Sequence, residues 1–312
     1  MNLITAKTYL LAGLFVAATA AQAGTVRQDD NDALYKPTGR GQGELHHDQS
    51  ASARAVAKAA AVNPGNGILY NGGPVMNNVN GTDVYYIWYG NWTGNTAPTI
   101  LTDMANGLTG SPWYNISTTY YDAAKKPVVN RVNLVGSTTD NYSQGTALSD
   151  AQIQSVVASA ITSGRLPKNT NAIYFVLTSK DVNATSGFCT NYCGWHTKGT
   201  ISGSTIKYSF VGNPDRCPTS CAAQTVGPNG NAGADGMASI IAHELTEAVS
   251  DPELNAWYDR RGNENADKCA WTFGTQYTTA NGAKANMKLG ARDFLIQQNW
   301  VNAGGGACAL KY

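Results

Sequence analysis

From Asp235 to Pro252 the chain carries the pattern of one uninterrupted helix, and that pattern constrains what can surround it. Met237, Ile241, Leu245 and Ala248 recur at helical spacing as a single apolar stripe, which must be laid against another layer of structure. Asp235 is expected to cap the start, and Pro252 ends the run because proline has no backbone N–H to donate. His243, Glu247 and Asp251 fall four apart on an adjoining side. Side chains one turn apart stack, so the imidazole of His243 and the carboxylate of Glu247 can reach one cation together.

The partner layer is legible upstream. Val84 to Tyr89 is dense in β-branched and aromatic residues and ends at Gly90-Asn91, which predicts a buried strand. Pro98 suits a helix's first turn, with Ile100, Leu101, Met104 and Leu108 at helical spacing behind it. A strand is expected at Val128 to Val135. Ser149-Asp150 then caps a helix whose stripe is Ile153, Val156, Val157, Ala160 and Ile161. Ile173 to Leu177 and Ile206 to Val211 complete the strands. The expected class is α/β (α+β), a mixed β-sheet packed against helices that include the Asp235–Pro252 helix.

The amino-terminal part belongs to none of this. Lys7 precedes an apolar run from Tyr9 to Ala18, and Ala21-Gln22-Ala23 supplies a small-x-small cleavage pattern, so residues 1–23 are expected to be a signal peptide. That run is too short to span a bilayer, and no later run approaches the roughly 20 apolar residues a spanning helix needs. Residues 24–66 are rich in Gln, Asp, Gly, His and then Ala, a composition that buries little surface, and are expected to form a flexible arm or propeptide. One domain should occupy 67–312. Lys and Arg total 22 against 21 Asp and Glu, so the positive field that would draw nucleic acid is missing. The expected setting is secreted, extracellular or periplasmic according to the host, with no membrane and no nucleic-acid partner, as a monomer.

Six cysteines, all past residue 188, fit an oxidising compartment. The preferred pairing joins Cys189 to Cys193, Cys217 to Cys221 and Cys269 to Cys308, with zinc chelation by the two C-x-x-x-C pairs as the alternative. N-x-S/T triplets begin at Asn80, Asn91, Asn115, Asn141 and Asn183 and matter only in a glycosylating host.

His243-Glu244-Leu245-Thr246-Glu247 is a variant of the H-E-x-x-H pattern, in which two histidines hold zinc and the glutamate deprotonates a metal-bound water. Here the second ligand position is a glutamate. The chain has four histidines, and His46 and His47 lie in the arm, leaving His196 and His243 for the body. Carboxylates must therefore supply most ligands. Glu264 and Asp267 are the candidates for the third, anchored by Cys269. The expected metal set is His243, Glu247, Glu264 and Asp267, with Glu264 preferred as third ligand and Asp267 as its hydrogen-bonding partner or substitute. Glu244 is the candidate general base. One histidine and two carboxylates cancel the charge of a divalent ion, which lowers the pKa of bound water less than a positive centre does. Zinc is the first expectation for the cofactor, with manganese or calcium as harder alternatives.

Several blocks together resemble the EXORDIUM or phosphate-induced protein 1 family, known from plant cell walls. Gly67-Ile68-Leu69-Tyr70, Gly73-Pro74-Val75-Met76 and Ile87-Trp88-Tyr89-Gly90-Asn91-Trp92 are similar to its opening. Phe188-Cys189 to Cys193-Gly194-Trp195-His196 resembles its F-C-x-x-x-C-G-aromatic-H element. Asp235-Gly236-Met237, Ala242-His243-Glu244, Glu247, Pro252 and Asn255-Ala256-Trp257-Tyr258 resemble its central block, followed by Glu264, Ala266, Asp267 and Cys269. The resemblance implies secretion and a part in growth promotion in plants, and it brings no established reaction. It also implies that glutamate at 247 is the family pattern. His196 and Tyr258 are candidates to donate a hydrogen bond to an oxyanion.

Two functions compete on these grounds. The first is a secreted, zincin-like metallohydrolase of a single domain, a peptidase acting on a peptide or cell-wall substrate. The second is a non-catalytic extracellular binding or signalling protein, with Trp88, Trp92, Trp113, Tyr114, Tyr120 and Tyr121 as a sugar-contacting surface.

Overall fold

The computed structural model describes residues 67–312; the expected signal peptide at 1–23, the arm at 24–66, and His46 and His47 lie outside the described residues. Five strands, β1 (Thr82–Tyr89), β2 (Val132–Asp140), β3 (Ala172–Thr178), β4 (Gly194–Ile201) and β5 (Ser204–Val211), form one mixed sheet in the order β2-β1-β3-β5-β4. The first four in that order run parallel, and β4 lies antiparallel to β5 at the edge. The central strand β3, Ala-Ile-Tyr-Phe-Val-Leu-Thr, is buried along its whole length. A strand covered on both faces needs such a continuous apolar run.

The edges depart from expectation. The second strand forms at Val132–Asp140 rather than Val128–Val135, and β4 was not expected at all. An edge strand has one flank in solvent, so its apolar signal is diluted. Gly136, Ser137, Thr138 and Thr139 dilute β2, and Lys198 and Gly199 dilute β4.

Three helices pack on this sheet. Helix α1 (Ala97–Leu108) has Pro98 in its first turn and buries Ile100, Leu101, Met104 and Leu108. Helix α2 (Asp150–Thr162) starts with a full capping box, Ser149 and Gln152 each serving the other's backbone, and buries the expected stripe. Helix α3 (Ala232–Ser250) begins three residues before Asp235. Its cap is Asn231, whose side chain accepts from the Ala234 N–H, while Asp235 sits inside the first turn and accepts from the backbone and side-chain N–H groups of Asn229. Helices α3 and α2 cover opposite faces. A Cβ on Gly194 would meet Ile240 of α3 at 2.6 Å, and one on Gly199 would meet Gln154 of α2 at 3.0 Å. Those glycines are an odd number of residues apart on β4, and alternate residues of a strand face opposite ways. Helix α3 is buried on nearly every side, so its apolar stripe understates its enclosure. Among the described residues no helix is long and apolar enough to cross a membrane.

Two of the three expected disulfides pair differently. The bridges are Cys189–Cys217, Cys193–Cys221 and Cys269–Cys308. The reason is the β4–β5 hairpin: Gly194 at the start of β4 lies opposite Val211 at the end of β5. Cysteines just before β4 and just after β5 are therefore neighbours across the hairpin. Closing a loop of 28 residues restricts the unfolded chain by about 3–4 kcal/mol, against about 2 for a local C-x-x-x-C ring. No cysteine is free, so no thiolate remains for the zinc alternative.

Candidate functional site

Three stretches of chain converge where the edge of the sheet meets α3. His196 is the third residue of β4 and faces α3, as Gly194 does two residues earlier. Glycine is required at 194, because a Cβ there would also come within 3.1 Å of a Glu244 carboxylate oxygen. Helix α3 supplies His243, Glu244 and Glu247, all buried. The third stretch, Glu264 to Asp267, is held in place by its own hydrogen bonds. The Asp267 carboxylate accepts from the Glu264 N–H at 3.0 Å, and the Asn265 amide donates to the Thr246 carbonyl and the Ser250 hydroxyl of α3. Cys269, bonded to Cys308, ties its end.

The distances group around two imidazoles. Nε2 of His243 lies 3.1 Å from Glu247 Oε1 and 3.5 Å from Asp267 Oδ1. Nε2 of His196 lies 3.2 Å from Glu264 Oε2 and 3.7 Å from Glu247 Oε2. A Glu244 oxygen completes a set with His196 and Glu247 in which all ligand atoms lie within 4.8 Å of one another. Atoms bound tetrahedrally to one ion at 2.0–2.2 Å are roughly 3.3–3.6 Å apart. The measured separations straddle that value.

Electrostatics make the same demand. Burial, and then repulsion from Glu247, Asp251, Asp267 and Glu244, hold the Glu264 carboxyl well above the usual carboxylate range. Burial, with repulsion from His243, pushes His196 down to about 3, so its ring is neutral at pH 7. Neutral imidazole is the form that ligates metal. Removing a carboxylate from water costs several kcal/mol unless charge compensates it. A cluster of four carboxylates around a neutral His196 must therefore take up protons or bind a cation.

His243, Glu247, Glu264, Asp267, Glu244 and His196 all lie in this cluster, but Asp267 joins His243 and Glu247 as third member, and Glu264, preferred for that place from the sequence, faces His196 instead. His196 was expected as an oxyanion donor; its Nε2 instead faces two carboxylates, from its place in strand β4. Tyr258 stays apart. It pairs with Leu69 in a short two-stranded ladder, and its electrostatic neighbour is Asp251 at the far end of α3. Sequence reasoning missed Gln297, which accepts from Nδ1 of His243 at 3.1 Å and donates to the Ala266 carbonyl at 3.0 Å. No motif marks it. Beside His243 opens a small, mostly apolar pocket lined by Ile240, Trp271, Phe273, Leu295 and the Cys193–Cys221 bridge. The aromatic surface expected for sugars does not form: Trp88, Trp113, Tyr114 and Tyr120 are buried in the core. Their rings supply the apolar area that a sheet covered on both faces requires.

The sheet and the buried His–Glu cluster define a mixed α/β protein with a candidate metal centre. Residues 68–292 match the family model described as the phosphate-induced protein 1 conserved region, and the chain belongs to that family. It is 32% identical over 274 residues to protein EXORDIUM-like 5 of Arabidopsis thaliana, covering 75% of each chain. It is 33% identical to EXORDIUM-like 3 of the same plant, covering 75% of this chain and 80% of the relative. Protein PHOSPHATE-INDUCED 1 of Nicotiana tabacum is 29% identical over 61% of this chain and 68% of its own. No solved structure matches the chain.

Proposed function

We propose that this protein is an exported, zincin-like metal-dependent hydrolase that cleaves peptides. One observation carries the proposal: His243, Glu247 and Asp267, from a helix and a separate loop, turn ligand atoms toward a common point in a buried, carboxylate-rich site. These residues would hold a divalent ion, zinc first by its affinity for imidazole, which would polarise a carbonyl and lower the pKa of a bound water. Glu244, one residue along α3 from His243, would serve as the general base at that centre. The apolar pocket beside His243 suits a bulky side chain of a peptide. The mixed sheet against the motif helix supports the zincin-like reading. Three disulfides and membership of the phosphate-induced protein 1 family support export.

The test is elemental analysis of full-length protein purified without added metal, paired with Glu244→Gln. The variant is expected to keep the metal and lose hydrolysis of a mixed peptide substrate by about 10²–10⁴-fold, the usual contribution of a general base. A metal-free wild-type protein, or a Glu244→Gln variant that still hydrolyses peptides, would reject the proposal.

A further inference from the structure

We infer that the centre is built for two divalent cations, with Glu247 as the carboxylate that bridges them. The inference rests on the metal-binding half of the proposed function and extends it.

The geometry is paired. Each imidazole directs its Nε2 at two carboxylates, and the two sets share a single residue. The His243 set uses Glu247 Oε1 and Asp267 Oδ1; the His196 set uses Glu247 Oε2 and Glu264 Oε2. A carboxylate that offers one oxygen to each of two sets is the arrangement of a bridging ligand. Ions held this way in two-metal hydrolytic sites lie about 3.5–4 Å apart. A single ion at the His243 set would leave His196 Nε2 and Glu264 Oε2, 3.2 Å apart, outside its coordination.

The number of donors is also large for one ion. Glu244, Glu247, Glu264 and Asp267 bring four carboxylates, and His196 and His243 two imidazoles, into one enclosed space. Unused ligand capacity points the same way. Glu264 Oε1 and Asp267 Oδ1 are buried and have no hydrogen-bond partner among the described residues, on side chains 1% and 5% exposed. Buried carboxylate oxygens normally find a donor, and a bound ion supplies what the protein here does not. Glu244, whose carboxylate reaches the His196 set, stays beside the second ion, where it can still take a proton from water.

The experiment loads metal-stripped, full-length protein with manganese(II) and reads stoichiometry by elemental analysis and ion–ion coupling by electron paramagnetic resonance. Two manganese ions per chain with an exchange-coupled spectrum are expected. His196→Ala is expected to bind one ion and to give the uncoupled six-line signal of isolated manganese. Glu264→Gln, which conserves side-chain volume, should lower affinity for the second ion at least tenfold and serves if His196→Ala does not fold. One ion per chain with an uncoupled spectrum in the wild type overturns this inference and leaves the one-metal hydrolase standing. No bound ion overturns both. Two coupled ions retained at unchanged affinity in both variants would overturn the assignment of His196 and Glu264.

Discussion

Gln297 holds the ring of His243 by its Nδ1, at 3.1 Å, across 54 positions of sequence. The amide cannot turn over without losing its own bond, because its Nε2 donates to the Ala266 carbonyl. Its oxygen must therefore face the ring, and Nδ1 of His243 must carry the hydrogen. In the neutral ring that leaves the lone pair on Nε2, the nitrogen that faces Glu247 and Asp267. Fixing the tautomer of a ligating histidine through its other nitrogen is a general device for raising metal affinity.

Gln297→Leu tests the device. The substitution keeps the bulk and removes the acceptor, so metal affinity should fall about 10–100-fold. Competition with a chromophoric chelator measures it, with circular dichroism as the folding control. An affinity equal to wild type would show that the amide does not set the tautomer.

Gly194 is the second sensitive position, because β4 approaches α3 through it. Alanine there would press its Cβ to 2.6 Å from Ile240 and 3.1 Å from a Glu244 oxygen. Overpacking of this kind costs about 1–3 kcal/mol. Chemical denaturation of Gly194→Ala should show that loss, and hydrolysis should drop further than stability because the displaced carboxylate is the proposed base.

The crossed disulfides make a direct prediction for peptide mapping. A non-reducing digest should release one peptide linking Cys189 to Cys217 and another linking Cys193 to Cys221. Local rings would instead leave the two segments unlinked after cleavage between them. Removing the Cys269–Cys308 bridge by a double serine substitution should cost about 2–5 kcal/mol. It should also weaken metal binding, since that bridge ends the Glu264–Cys269 stretch.

What was legible in the sequence follows from how local each signal is. Helix α2 could be named from Ser149, Gln152 and its stripe, because cap and periodicity lie within one element. Strand β3 announced itself by unbroken apolar residues. Strand β4 did not, since its glycines serve close approach to α3 and α2 and carry no strand preference. The same strand explains two misassignments. Its hairpin with β5 decides the cysteine partners, and its pleat turns His196 into the cluster. His243 and Glu247 were readable from i,i+4 spacing, and Glu264 and Asp267 from a dense acidic run. Gln297 was not, because its role exists only once a distant connecting segment is folded against α3.

Asp251 offers a test that does not depend on metal. Its carboxylate ends α3 by accepting from the N–H groups of Asn255 and Ala256 at 2.6 and 2.7 Å. Burial outweighs those bonds and raises its pKa from 3.8 to about 6. A folded-state value above the unfolded one means that the native chain keeps a proton the unfolded chain has released. Unfolding free energy should therefore fall as pH rises from about 4 to about 6, by on the order of 3 kcal/mol from this group. Asp251→Asn keeps the accepting oxygen and removes the titration. Its absolute stability carries a further cost, because the new N–H group replaces an oxygen that has no hydrogen-bond partner among the described residues. The slope is the cleaner readout. Subtracting the variant's pH–stability curve from the wild type's should leave a decline confined to pH 4–6, whatever the constant offset. A difference that stays flat across that window would mean that Asp251 is ionised in the folded protein at pH 4, and that the two backbone bonds, rather than burial, set its charge.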